Sequence, residues 1–66
     1  MAQPLSDEVV AAPANLPAGS QLVKNTRAWS LYHNGATSRT YLVMAAGPGR
    51  ARLVTYAGRT VPPCCR

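Results

Sequence analysis

The sequence predicts a small all-β domain, an antiparallel meander of four to five short strands that closes towards a partly open, SH3-like barrel. Three observations favour this fold class. Short apolar runs of β type follow one another from residue 20 onward, and Gly, Pro and Asn-Gly turn signals separate them. The chain has only 66 residues, so it forms at most one domain, with a small core.

Residues 1–19 predict an extended N-terminal arm rich in Ala and Pro. Pro4, Pro13 and Pro17 favour an extended path, and a helical turn capped by Ser6 would be too short to be stable alone. A disordered leader is the alternative to an arm that lies along a neighbouring surface. The apolar anchors of such an arm would be Leu5, Val9, Val10 and Leu16.

The β domain is expected over residues 20–61, and residues 62–66 form a C-terminal tail. Gly47-Pro48-Gly49 fits a type II turn, with Pro at its second and Gly at its third position. The expected strands cover residues 20–24, 27–33, 39–45, 50–56 and 59–61.

The pairing of the third and fourth expected strands decides which side chains share a face. An even-numbered loop places Leu42 opposite Leu53, whereas an odd-numbered loop places Met44 opposite Arg52 and mixes charged with apolar residues. We therefore expect the even register, with one face as core. The second face is too apolar to be left in water, and it predicts a partner-binding surface made of Arg39, Tyr41, Val43, Arg50, Arg52, Val54, Tyr56 and Arg59.

The charges are distributed unevenly along the chain. The two acids, Asp7 and Glu8, precede all seven Lys and Arg residues, and the net charge is +5. We expect the basic part of the chain to form no internal salt bridges and to find its anions elsewhere. Nucleic acid, an acidic protein face and solvent counter-ions are the candidates.

Cysteine usage and hydropathy indicate the compartment. Cys64 and Cys65 are neighbours, so a bond between them would close no useful loop, and the absence of a disulfide framework favours a reducing environment. No signal peptide or membrane-spanning stretch is apparent in the sequence. We expect a virion or cytoplasmic location, neither secreted nor membrane-bound.

The inventory of reactive residues argues against an enzyme. His33 is the single histidine, and no nucleophile–base arrangement or phosphate-binding loop is visible. Cys64, Cys65 and His33 lack the spacing and the fourth ligand of a zinc site. We therefore expect no catalytic residues, no metal, no cofactor and no small-molecule substrate.

Two functions suit such a chain. The first is a non-enzymatic structural subunit that docks on a larger protein assembly or a homo-oligomer, and a minor or decorating component of a bacteriophage virion suits the composition. The alternative is a small basic nucleic-acid-binding module, in which Tyr41 and Tyr56 stack on bases while the neighbouring arginines contact phosphates.

Overall fold

The computed structural model describes residues 3–62. Five antiparallel strands form one sheet in the spatial order β1-β5-β4-β3-β2, and the expected all-β meander is confirmed. β1 and β2 are the two edges and each pairs with one strand, so the sheet is open and the SH3-like closure is not confirmed. Within residues 3–62 no helix is long and apolar enough to cross a membrane. The strands are β1 (Ser6–Ala11), β2 (Ser20–Asn25), β3 (Trp29–Asn34), β4 (Arg39–Ala45) and β5 (Arg50–Ala57).

The turn between β4 and β5 has the expected residues at its centre. The Arg50 amide donates to the Gly47 carbonyl over 3.1 Å, which places Pro48 second and Gly49 third. Gly49 has a φ of +67°, the left-handed conformation that the third position of a type II turn requires. The placement of Pro and Gly in this turn is therefore confirmed.

The register between β4 and β5 differs from the expected one. Leu42 lies opposite Val54 and Met44 lies opposite Arg52, so the loop is odd-numbered and the even register is wrong. Alternation of apolar residues disfavoured this pairing because it places an arginine on an apolar face. The charge of Arg52 is compensated by the neighbouring strand β1, where the Asp7 carboxylate accepts two hydrogen bonds from the Arg52 guanidinium.

β1 also explains why the fifth expected strand does not form. Residues 59–61 were expected to pair with β5, but they belong to no strand. β4 occupies one side of β5 and β1 occupies the other, with the Leu5 amide donating to the Thr55 carbonyl over 2.6 Å. β5 therefore has no free edge, and the part of the arm that was expected to be merely extended supplies the fifth strand instead.

The pairing sorts the side chains of the three central strands onto two faces. The front face carries the main apolar cluster, in which Leu42 is only 2 % exposed. The back face carries Tyr41, Leu53 and Thr55, which are also buried. The front face consists of Trp29, Leu31, His33, Thr40, Leu42, Met44, Arg50, Arg52, Val54 and Tyr56, and the back face of Ser30, Tyr32, Asn34, Arg39, Tyr41, Val43, Ala45, Ala51, Leu53, Thr55 and Ala57.

Irregular segments of the same chain run along both faces. Residues 12–19, the crossover, connect β1 at one edge with β2 at the other and pass along the back face, where they line a groove with Tyr32 and Val43. Residues 58–62 pass along the front face, where the Thr40 hydroxyl donates to the Gly58 carbonyl over 2.6 Å. Both sheet faces are thus covered from within the chain, and Pro62 is fully buried.

Asn34 fastens the crossover to the sheet. Its side chain is fully buried, and its Nδ2 donates to the Ala18 carbonyl over 3.0 Å and to the Ser20 Oγ over 3.1 Å. Its Oδ1 accepts from the amides of Ala36 and Thr37 at 2.9 and 3.1 Å. One amide group therefore holds the β3–β4 turn and the end of the crossover together.

Candidate interaction surfaces

The eight residues expected to form one partner-binding surface lie on different parts of the molecule. The odd register puts Arg39, Tyr41 and Val43 on the back face and Arg52, Val54 and Tyr56 on the front face. Arg50 begins β5, and Arg59 lies in the turn after β5, beside the front-face groove. The structure therefore does not bring these residues together as one surface.

Burial separates the same residues further. Tyr41, Val54 and Tyr56 are 5 %, 3 % and 8 % exposed, so they are core residues and present almost no area to a partner. Tyr41 also shares a hydrogen bond of 3.2 Å between its hydroxyl and the Thr37 Oγ1. The arginines at positions 39, 50, 52 and 59 are exposed. The basic part of the expected surface is accessible, whereas its aromatic part is internal.

Arg52 forms an ion pair within the chain, contrary to expectation. Its Nε donates to Asp7 Oδ1 over 2.8 Å and its Nη2 to Asp7 Oδ2 over 2.5 Å, the two-point geometry that suits guanidinium and carboxylate. These hydrogen bonds and the nearby positive charge lower the pKa of Asp7 from its usual 3.8. The pair links edge strand β1 to β5. The sequence contained a signal for this ion pair. In a chain with seven basic residues, each of the two acids is strongly attracted to a basic side chain.

The other cations of the described residues lie at two ends of the sheet. Arg27 and Arg50 line the groove at the end where β4 meets β5, and Arg59 lines the groove at the opposite end. The Lys24 ammonium lies 5.8 Å from the centroid of the Trp29 ring, within the range of a cation–π contact. Within residues 3–62 the one ion pair is that of Arg52, so the remaining basic side chains are available to anions.

Exposed aliphatic side chains concentrate on the two edge strands. Val9 of β1 is 55 % exposed, and Leu22 and Val23 of β2 are 54 % and 60 % exposed. Of the expected arm anchors, Leu5 and Val9 face solvent, while Val10 and Leu16 are half-buried against the rest of the chain. Most of the apolar surface available to a partner therefore lies along the edges, and Val61, 49 % exposed on the segment that covers the front face, is the exception.

Two shallow grooves accompany the covering segments. The larger, about 330 Å³, lies between the crossover and the back face, and the smaller, about 230 Å³, lies between residues 59–61 and β2. His33 lines the smaller groove, and its Nδ1 is 3.3 Å from the Thr40 Oγ1. Since that hydroxyl gives its proton to a carbonyl, the imidazole is the donor.

Groups that could hold a metal do not converge in the described part of the chain. No cluster of three or more His, Cys, Asp or Glu side chains occurs within residues 3–62. Cys64 and Cys65 lie outside the described residues, as does most of the expected tail 62–66.

Comparisons with protein-family models, curated proteins and solved structures found no match to the chain.

Proposed function

We propose that the chain is a non-enzymatic structural subunit that joins a larger protein assembly through its two edge strands. The observation that carries this proposal is the openness of the sheet. Both faces are covered by the chain itself, whereas β1 and β2 each have one strand partner. Backbone amides and carbonyls on such an edge can add a strand from another chain.

The exposed aliphatic residues strengthen the case for the edges. Leu5 and Val9 accompany β1, and Leu22 and Val23 belong to β2. Strand addition at an edge obtains affinity from main-chain hydrogen bonds and specificity from the alternate side chains. A subunit that is marginal alone would gain stability from each added strand. A virion that carries the chain as a decorating or minor component is one assembly of this kind, and a cytoplasmic assembly is another.

Sedimentation of the tagged chain in lysates of its source cells tests the proposal. We expect wild-type chain in a fast-sedimenting fraction, and V9K and V23K at the top of the gradient, because a new lysine on either edge opposes strand addition. A57K is the matched control, since Ala57 is also exposed but ends the central strand β5. Wild-type chain that remains at the top would show the proposal to be wrong. Deletion of residues 1–19 would be a poor test, because it removes β1 and the crossover.

A nucleic-acid-binding module is the second candidate, favoured by the exposed cations at both ends of the sheet. Binding would use Arg27 and Arg50 at one end, together with Lys24 on edge strand β2, or Arg39 and Arg59 at the other end, without the buried tyrosines. Fluorescence polarisation with single-stranded DNA and RNA at two salt concentrations separates the candidates. Phosphate contacts release counter-ions, so tight binding that falls steeply with salt would favour this function over the first.

A further inference from the structure

We propose that the chain binds a second copy of itself head to tail, with β1 of one copy added to β2 of the next. This inference rests on the proposed function, because it identifies the occupant of the edge strands. The two edges carry opposite charge. Both acids of the chain, Asp7 and Glu8, lie on β1, and Lys24 lies on β2 with Arg27 in the turn that follows.

The cross-strand register aligns these charges. Asp7 lies opposite Val54, Val54 opposite Leu42, Leu42 opposite Leu31, and Leu31 opposite Lys24. Asp7 and Lys24 are therefore the two ends of one row that crosses the sheet on its front face. A copy displaced sideways by one sheet width would place its Asp7 next to Lys24 in the continued row.

Strand direction permits this arrangement. Each neighbouring pair in the order β1-β5-β4-β3-β2 is antiparallel, so four reversals make β1 and β2 parallel to each other. A displaced copy then adds its β1 parallel to β2 and keeps its front face on the same side. The exposed Val9 and the exposed Leu22 and Val23 would be brought to the same junction, where their burial adds to the charge attraction.

The arrangement has a definite symmetry. An edge that pairs with a different edge is a heterologous interface, which forms a ring or a helical filament and does not stop at a dimer. A two-fold dimer would instead pair β1 with β1 or β2 with β2. Each of those contacts sets like charges against each other, acid on acid or base on base, and the charge distribution therefore favours the head-to-tail contact.

The ion pair that Asp7 already forms with Arg52 does not prevent a contact between Asp7 and Lys24 of a second copy. Arg52 donates one hydrogen bond to each carboxylate oxygen of Asp7, and a carboxylate has about four lone-pair sites. Glu8 adds a second negative charge on the same edge. Lys24 already lies near its own Trp29 ring, a weak contact that leaves ammonium protons for another acceptor.

Charge exchange on the two edges tests the proposal by sedimentation equilibrium with reductant present. Wild-type chain should increase in mass beyond the dimer between about 10 µM and about 1 mM, and less so in about 1 M salt. E8K removes the net negative charge of β1, and K24E removes the positive charge of β2, so each should associate about tenfold more weakly. An equimolar mixture of the two should associate more tightly than either variant alone, because β1 of K24E and β2 of E8K keep their wild-type charges.

The controls exclude the alternatives. R39S removes an exposed charge from the central strand β4 and should associate as wild type does, and circular dichroism should show that every variant is folded. Wild-type chain that remains a monomer throughout would overturn the proposal, as would an E8K variant that associates normally. A wild-type monomer that still sediments with a large particle in lysates would overturn self-association alone and leave the assembly function standing.

Discussion

Asp7 and Arg52 are 45 positions apart in the chain, and their side chains form a two-point ion pair across the β1–β5 edge. The pair explains how an arginine can lie on the front face beside Met44 and Val54. The charged end of Arg52 reaches Asp7 on the edge strand. The charge that was expected to bind an external anion is therefore used in part to hold the N-terminal strand.

This ion pair predicts a pH dependence of stability. Because Arg52 favours the ionised carboxylate, the pKa of Asp7 is lower in the folded chain than its usual 3.8. The stabilisation is therefore complete above pH about 4 and is lost as the pH falls through the folded-state pKa. We expect the melting temperature of D7N to lie below that of wild type at pH 7, and the two to converge once the pH falls below the folded-state pKa of Asp7.

A double-mutant cycle separates this pair from other effects of the charges. D7N, R52S and the combined variant should show a coupling energy at neutral pH that disappears in acid. R50S is the matched control, since Arg50 is exposed on the same strand, and its free energy of unfolding should lie within about 0.5 kcal/mol of wild type. A coupling energy that is absent at neutral pH would contradict the structural role given to Arg52.

The fully buried Asn34 predicts a large loss of stability on truncation. N34A removes the donors to the crossover and the acceptor of the β3–β4 turn, and it leaves buried partners without hydrogen bonds. We expect about 3 kcal/mol lower free energy of unfolding by chemical denaturation. N25A is the control, because Asn25 is exposed and bonds only the Ser30 hydroxyl, so a loss below about 1 kcal/mol is expected. Equal losses in the two variants would refute the fastening role of Asn34.

The front-face cluster predicts a contrast between two leucines. Leu42 is 2 % exposed on the central strand, whereas Leu22 is 54 % exposed on edge strand β2. L42A should cost about 2–5 kcal/mol of unfolding free energy, and L22A about 0.5 kcal/mol or less. Measurement at low protein concentration keeps the edge contact of Leu22 out of the comparison. Similar costs at the two positions would mean that the front face is not the main core.

The turn glycines predict a contrast of backbone origin. Gly49 has a φ of +67°, so alanine there is strained and G49A should lose about 1–2 kcal/mol of stability. Gly35 is not among the residues with positive φ, and a Cβ there meets open space. G35A should therefore leave stability unchanged or raise it by up to about 1 kcal/mol. Thermal unfolding of the two variants decides the matter, and a neutral G49A would argue against the assigned turn.

Local sequence signals predicted the central strands well. β4 has the expected bounds, 39–45, because an apolar run lies between clear turn signals, and β2, β3 and β5 lie within two residues of expectation. The Pro and Gly positions in the β4–β5 turn were also predictable, since both residues have strong backbone preferences.

The contacts between distant segments were not predictable in the same way. β1 contains Ser, Asp and Glu and is exposed along most of its length, so neither alternation nor β propensity marks it as a strand. Because β1 was not predicted, no acid was expected near Arg52. The even register was therefore preferred, since it kept Arg52 away from Met44. Two further errors follow from the failure to predict β1. They are the expected strand at residues 59–61 and the expected grouping of the partner-binding residues on one face.

The crossover has a consequence for the order in which the sheet is completed. β1 precedes the other four strands of the sheet along the chain, yet its hydrogen-bonding partner β5 is the last of the five. The turns between β2 and β5 join strands that are neighbours in sequence, so this part can form from local contacts, whereas β1 must wait for β5 and for the longest loop closure in the molecule. A newly made chain thus carries Asp7 and Glu8 on an unpaired segment until β5 has emerged from the ribosome.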